Sequence, residues 1–244
     1  MVTFKFTNES LKAIYAGMNP SKEDNILMIC GSGDQAFCCA ETNARIAVVD
    51  YKEEQVNFAK KRANFLRKQD YPSFLTLETG ELPLDITPSG PEEYFLRSRN
   101  RYFSKERLEK ITETLSNNNS LIFGVGNLLS TPLYGKGYNK LYLSNIIGYG
   151  NGLKLKPEKM KSIFESMYNL VNDKGIVYIS DGDKICRLEE ENEGFLKKSG
   201  FKTHEKLTKR ARIQQNKENS EKVRLFPELK NSGTNWNPLI LQKI

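Results

Sequence analysis

Short apolar runs alternate with amphipathic stretches along much of the chain. The runs at residues 26–29 and 46–49 predict buried strands. Residues 53–67 place alanine, valine and leucine at helical spacing and basic side chains opposite them, which predicts an amphipathic helix. Similar patterns predict strands at 140–143, 176–180, 201–207 and 238–243, and helices at 10–18, 35–42, 157–171 and 189–199. This alternation predicts an α/β fold with a doubly wound, mostly parallel sheet.

The stretch between residues 70 and 138 breaks this regularity. It contains five prolines, one predicted helix at 104–115 and two short predicted strands at 74–77 and 121–125. It is too long for a plain connection, so we predict an insertion or lid near the substrate. We expect it to lie within a single domain covering residues 1–244. A polar tract at 216–220 predicts the tip of a long hairpin between the last two strands.

A small-residue turn follows the first strand. It reads Cys30-Gly31-Ser32-Gly33-Asp34, and the next strand ends on Asp50. This order is typical of a nucleotide-binding α/β unit: a strand, a glycine-rich turn, a helix, a second strand and an acid at its end. We therefore expect the turn to line an adenosine-type cofactor, Asp50 to accept the ribose hydroxyls and Tyr51 to lie against the adenine.

Asp34 helps to choose between cofactors. It stands at the start of the first helix of this unit, where a pyrophosphate would bind to backbone N–H groups. A carboxylate there would repel the pyrophosphate of a nicotinamide dinucleotide. S-adenosyl-L-methionine (SAM) has no phosphate, so Asp34 is tolerable and could meet its ammonium group or cap the helix. The pattern favours SAM and leaves a nicotinamide oxidoreductase as an alternative.

The end of the chain adds a resemblance. This part of the chain resembles the C-terminal half of class I SAM-dependent transferases, with a helix, a Gly200-Phe201 turn, a strand and a last apolar strand. That resemblance implies a seven-stranded sheet with an antiparallel last strand. Ordinary methyltransferases of this class carry an acid in the first strand, where this chain has Met28.

The turn and residues 141–146 (LYLSNI) are more similar to the 3-amino-3-carboxypropyl transferases of betaine-lipid synthesis. This resemblance implies transfer of that group from SAM, with methyl transfer as the alternative. Ser144 and Asn145, at the end of the fourth strand, are expected to orient the cofactor or the acceptor. Tyr149 and Asp181 are candidate acceptor contacts, and no catalytic residue is assigned. We expect a small-molecule or lipid acceptor.

Charge and composition refine this picture. The net charge is +7 and much of the excess lies in residues 197–230. Nucleic-acid binding by a non-enzymatic SAM fold is therefore a further alternative, but interspersed glutamates make it less favoured. No apolar run approaches the roughly 20 residues of a membrane span, and residues 1–15 lack a signal-peptide pattern. We expect a cytoplasmic protein with reduced cysteines and no metal site.

Overall fold

The computed structural model describes residue 2 and residues 4–76, 90–116, 120–130, 137–144, 157–180, 193–227 and 237–244. The described strands are β1 (Asn25–Ile29), β2 (Arg45–Asp50), β3 (Leu121–Val125), β4 (Tyr138–Ser144), β5 (Val171–Ser180), β6 (Phe201–Thr203) and β7 (Pro238–Lys243). The described helices are α1 (Leu11–Met18), α2 (Asp34–Ala40), α3 (Glu53–Arg67), α4 (Tyr71–Thr76), α5 (Pro91–Tyr102), α6 (Lys105–Ser116), α7 (Pro157–Leu170), α8 (Glu193–Lys198) and α9 (Glu205–Leu225).

The seven strands form one sheet in the order β3-β2-β1-β4-β5-β7-β6. Strands β1 to β5 pair in parallel, and β7 is antiparallel to both β5 and β6. The predicted doubly wound sheet with an antiparallel last strand is therefore confirmed. The connections change direction between β1 and β4, and open α/β sheets bind ligands at the carboxyl ends of strands beside such a point.

Each face of the sheet carries its own apolar core. Successive strand side chains point to opposite faces, so Ile26 and Met28 of β1 belong to one core and Leu27 to the other. Helices α1, α2, α3, α6 and α9 pack on the first face, and α7 and α8 pack on the second. Met28 is fully buried in the first core, so β1 presents an apolar side chain at this position.

Helix α9 replaces the predicted hairpin. Only Phe201–Thr203 forms the strand predicted at 201–207, and the polar tract at 216–220 lies inside a 21-residue helix. Leu207, Ala211 and Gln215 are buried at helical spacing against α1 and β7, and most of the intervening residues are strong helix formers. The hairpin prediction was wrong because the polar residues at 216–220 are exposed or half-buried positions of an amphipathic helix.

The segment 70–138 contributes to the core of the domain. The strand predicted at 74–77 is wrong, because Tyr71–Thr76 is helix α4, whose first turn is capped by Asp70 Oδ1 accepting from Ser73 N at 3.1 Å. The predicted helix and the strand at 121–125 are present as α6 and β3. Strand β3 extends the sheet beside β2. Whether other parts of the segment close over a ligand remains a prediction.

Among the described residues, no helix is both long enough and apolar enough to cross a lipid bilayer.

Candidate functional site

A cleft of about 440 Å³ lies at the carboxyl ends of the central strands. Its walls come from the turn after β1, the end of β2, the residues after β3 and the end of β4. Residues 4–9, called the N-terminal segment below, form a further wall. The volume is in the range of small-molecule and cofactor sites. The ends of four neighbouring strands, β3, β2, β1 and β4, therefore meet at one ligand-sized opening.

Asp50 ends β2 at the floor of this cleft. Its Oδ2 accepts from Gly31 N at 3.3 Å and its Oδ1 accepts from Lys52 N at 3.1 Å. The side chain is largely buried, with 6% exposure, so its orientation is fixed from both sides. A carboxylate can accept about four hydrogen bonds, so each oxygen can still accept one from a ligand hydroxyl. Tyr51 follows with 65% exposure and also lines the cleft.

Gly31 lines the cleft with its backbone. Its φ of +46° favours glycine. Gln55, from α3, donates to Gly31 O at 2.6 Å and to Phe4 O at 2.7 Å, and accepts from Phe4 N at 3.1 Å. One buried amide thus connects the turn to the N-terminal segment and holds that segment against the cleft.

Asp34 lies at the centre of a buried ion cluster. Its Oδ1 accepts from Arg62 Nη2 at 2.5 Å and Arg99 Nε at 2.8 Å, and its Oδ2 accepts from Thr7 N at 2.9 Å and Ser32 Oγ at 2.8 Å. All three charged side chains are at most 1% exposed. Burial alone would raise the pKa of Asp34, but the two guanidiniums outweigh it and lower the pKa to about 2.

This cluster corrects the role predicted for Asp34. The carboxylate is enclosed by protein and does not line the cleft, so it is not available to a ligand's ammonium group. Two arginines also leave the cluster with a net positive charge, so the predicted repulsion of a pyrophosphate does not hold. Asp34 instead joins the N-terminal segment, the turn, α3 and α5.

Gly33 likewise faces the core. Its φ is +85°, and a Cβ built on it would lie 2.9 Å from the Phe37 ring and 3.2 Å from Ala59 Cβ. The prediction that Gly33 lies against the cofactor is wrong, because the space beside it is filled by these side chains. Ser32 does line the cleft, and its hydroxyl donates to the buried Asp34.

A group of buried oxygens lies beside the end of β4. Ser144 Oγ donates to Glu9 Oε1, and both residues line the cleft. Ser144 has a φ of +49°, so the strand turns sharply there. Burial raises the pKa of the Tyr142 and Tyr178 hydroxyls, and the negative charge of Glu9 raises it further. Glu9 therefore places a carboxylate near the hydroxyl groups of β4 and β5.

Sequence reasoning missed several lining residues. They are Gln35 and Gln55, the N-terminal segment, and Gly126, Asn127 and Leu128 after β3. The residues after β3 could have been found from the strand pattern, since β3 ends at the same edge of the sheet as β2. Glutamines in helices carry no comparable signal. Asn145, Tyr149 and Asp181 lie outside the described residues.

Comparison with solved structures finds proteins that are similar to this chain in structure. A SAM-dependent methyltransferase from Thiobacillus denitrificans in complex with S-adenosyl-L-homocysteine has a TM-score of 0.50 and 12% identity, over 98% of this chain and 93% of that one. Magnesium protoporphyrin IX methyltransferase from Synechocystis PCC 6803 with bound SAM has a TM-score of 0.49 and 12% identity, over 95% and 74%. The cyclase SpnF has a TM-score of 0.48 and 10% identity, over 98% and 86%.

No protein-family model and no curated protein sequence matches the chain. At such low sequence identity, structural similarity supports a shared architecture but does not identify a reaction. Together with the strand order, it shows that the chain has the class I SAM-dependent methyltransferase fold.

Proposed function

We propose that this chain is a SAM-dependent transferase whose cofactor lies in the cleft beside Gly31 and Asp50. The observation that carries the proposal is the pairing of Asp50 Oδ2 with Gly31 N. It places the carboxylate at the end of β2 next to a backbone turn, at the edge of the sheet where open α/β folds bind ligands. The fold and the SAM and S-adenosylhomocysteine complexes of its structural neighbours agree with this choice of cofactor.

The cleft's lining matches the parts of SAM. Asp50 would accept both ribose hydroxyls, and Tyr51 would lie against the adenine. Asn127 would lie near the edge of the base, and Leu128 and Val49 supply apolar surface. Gly31 and Ser32 would line the ribose and methionine portion. The chain's contribution to the chemistry is then to hold donor and acceptor in line and to exclude water.

For the transferred group, we propose 3-amino-3-carboxypropyl. The support is the resemblance of the turn and of residues 141–146 to the betaine-lipid enzymes, together with Met28 in place of an acid. In that reaction the acceptor attacks the γ-carbon, the carbon–sulfur bond breaks and methylthioadenosine leaves. Methyl transfer, which leaves S-adenosylhomocysteine, is the second candidate, favoured by the methyltransferases among the fold's relatives. We propose a small-molecule or lipid acceptor.

Two differently labelled samples of SAM test this proposal. The protein is incubated with a mixed extract of small molecules and lipids, and with SAM labelled either in the methyl group or in the carboxyl carbon. Aminocarboxypropyl transfer moves the carboxyl label into a new product and leaves the methyl label in methylthioadenosine. Methyl transfer gives the reverse pattern and would overturn our choice of group.

A matched control separates enzyme from binding module. Asp50→Ala should lose label transfer, whereas Asp173→Ala, which alters an acid on the far surface that is 91% exposed, should keep it. Binding of S-adenosylhomocysteine without any label transfer would instead support a non-enzymatic SAM fold. Failure of the wild type to bind SAM or S-adenosylhomocysteine would contradict the proposed function altogether.

A further inference from the structure

The acids of the cleft stand at its two ends. Among the described residues that line it, the carboxylates are Asp50 and Glu9. Asp50 ends β2, whereas Glu9 is hydrogen-bonded to Ser144 at the end of β4. Since β1 lies between these strands, the two positions are separated by two strand spacings, roughly 10 Å. A ligand that contacts both acids must therefore be extended across the end of β1.

Glu9 is fixed in position although it lies outside the sheet. Its side chain accepts from Ser144 Oγ, and its backbone N donates to Thr7 Oγ1 at 3.2 Å. Thr7 in turn is held by Asp34 through its own backbone N. Glu9 is 4% exposed, so its carboxylate faces the protein interior and the inner end of the cleft. The N-terminal segment thus carries an anchored acid into the site.

Gln35 adds a second acceptor at the same place. Its Nε2 donates to Thr7 Oγ1 at 3.2 Å, the same oxygen that accepts from Glu9 N. Its Oε1 is buried and accepts no hydrogen bond from the described residues. The side chain is 6% exposed and lines the cleft beside Gly31. A buried acceptor of this kind is costly unless a ligand or water satisfies it.

We propose that Glu9 and Gln35 form a binding site for an ammonium group, namely the α-ammonium of the cofactor's amino-acid portion. An ammonium has three donors and no acceptor, which suits a carboxylate and an amide oxygen. Its positive charge also strengthens a hydrogen bond to a carboxylate. SAM reaches this site from a ribose held at Asp50, because C5′, sulfur, Cγ and Cβ separate the ribose ring from the α-carbon. This inference rests on the proposed function.

Binding of truncated ligands tests the assignment. Calorimetry would compare S-adenosylhomocysteine, which carries the ammonium, with methylthioadenosine, which lacks the amino-acid portion. We expect Glu9→Gln to weaken S-adenosylhomocysteine binding by about 10- to 100-fold, the scale of a charge-assisted hydrogen bond. Methylthioadenosine binding should change by less than about twofold. Gln35→Leu should show the same selectivity with a smaller loss, about 3- to 10-fold.

Two controls keep the test decisive. Glu221→Gln alters an acid that pairs with Arg101 on the surface and does not line the cleft, so both affinities should be unchanged. Wild-type protein titrated with S-adenosylhomocysteine lacking its amino group should show the same 10- to 100-fold loss without any substitution. This titration tests the proposal even if the Glu9→Gln protein does not fold.

Equal losses for both ligands, or no loss for either, would overturn the inference. Loss of turnover with an amine acceptor, with S-adenosylhomocysteine binding intact, would assign the ammonium site to the acceptor and also overturn it. In either outcome, normal binding of S-adenosylhomocysteine by the wild type would still support SAM as the cofactor.

Discussion

Removing the charge of Asp34 should destabilise the protein strongly. Asp34→Asn keeps the size of the side chain but leaves Arg62 and Arg99 as buried cations, and both are at most 1% exposed. Breaking a buried ion pair in this way typically costs about 3–5 kcal/mol of unfolding free energy. That is a large part of the roughly 5–15 kcal/mol that stabilises a typical domain.

Urea unfolding followed by circular dichroism at pH 7 measures this loss. With a denaturant slope of roughly 2–3 kcal/mol per molar, the midpoint should fall by about 1–2.5 M. Arg99→Met in the Asp34→Asn background should restore part of the loss, because it removes one of the two unpaired cations. A loss below about 1 kcal/mol, or fully additive losses, would refute the account of the cluster.

The cluster also predicts a pH dependence. The pKa of Asp34 is about 2 in the folded protein, against an ordinary value of 3.8. Folding therefore favours the ionised carboxyl, and the difference contributes about 2 kcal/mol above pH 5. This contribution should decline as the pH falls below 4 and be lost near pH 2. The stability gap between wild type and Asp34→Asn should narrow by that amount, and a constant gap would contradict the lowered pKa.

Three further predictions concern the glycine turn, the N-terminal segment and the segment 70–138. Gly33→Ala should lower the unfolding free energy by about 1–3 kcal/mol, because φ is +85° and Phe37 lies 2.9 Å from the new Cβ; an unchanged melting temperature would argue against this. Gln55→Leu should release the N-terminal segment, which would be seen as faster hydrogen exchange at residues 4–7 and faster dissociation of S-adenosylhomocysteine. Unaltered exchange would show that Gln55 does not hold this segment in place. If part of the segment 70–138 acts as a lid, SAM should slow its exchange, whereas protection confined to residues 31–51 would exclude that role.

The sheet was predictable because its strands are short apolar runs bounded by turns. The runs before Gly31 and Asp50 marked the carboxyl ends of β1 and β2, and those ends locate the cleft. Helix α9 was missed although its buried positions follow a four-residue spacing. Its polarity reflects one exposed face, and the spacing was the stronger signal.

The details of the site depended on contacts that a local pattern does not contain. Arg62 and Arg99 reach Asp34 across 28 and 65 residues of sequence. A lone acid at a helix start therefore looked available to a ligand. The N-terminal segment docks onto the turn through Gln55, 51 residues after Phe4. No motif signals that pairing, so Glu9 and its neighbours were not predicted as lining residues.

Calorimetric titration of S-adenosylhomocysteine into wild type and Asp50→Ala tests the central claim most directly. Asp50 is held by Gly31 N and Lys52 N, so its removal takes away the ribose acceptor without creating a buried cation. We predict that the wild type binds and that Asp50→Ala loses about 1.5–3 kcal/mol of binding free energy, roughly 10- to 150-fold. Asp173→Ala should bind normally. Unchanged affinity in a folded Asp50→Ala protein would contradict a SAM site at this end of the sheet.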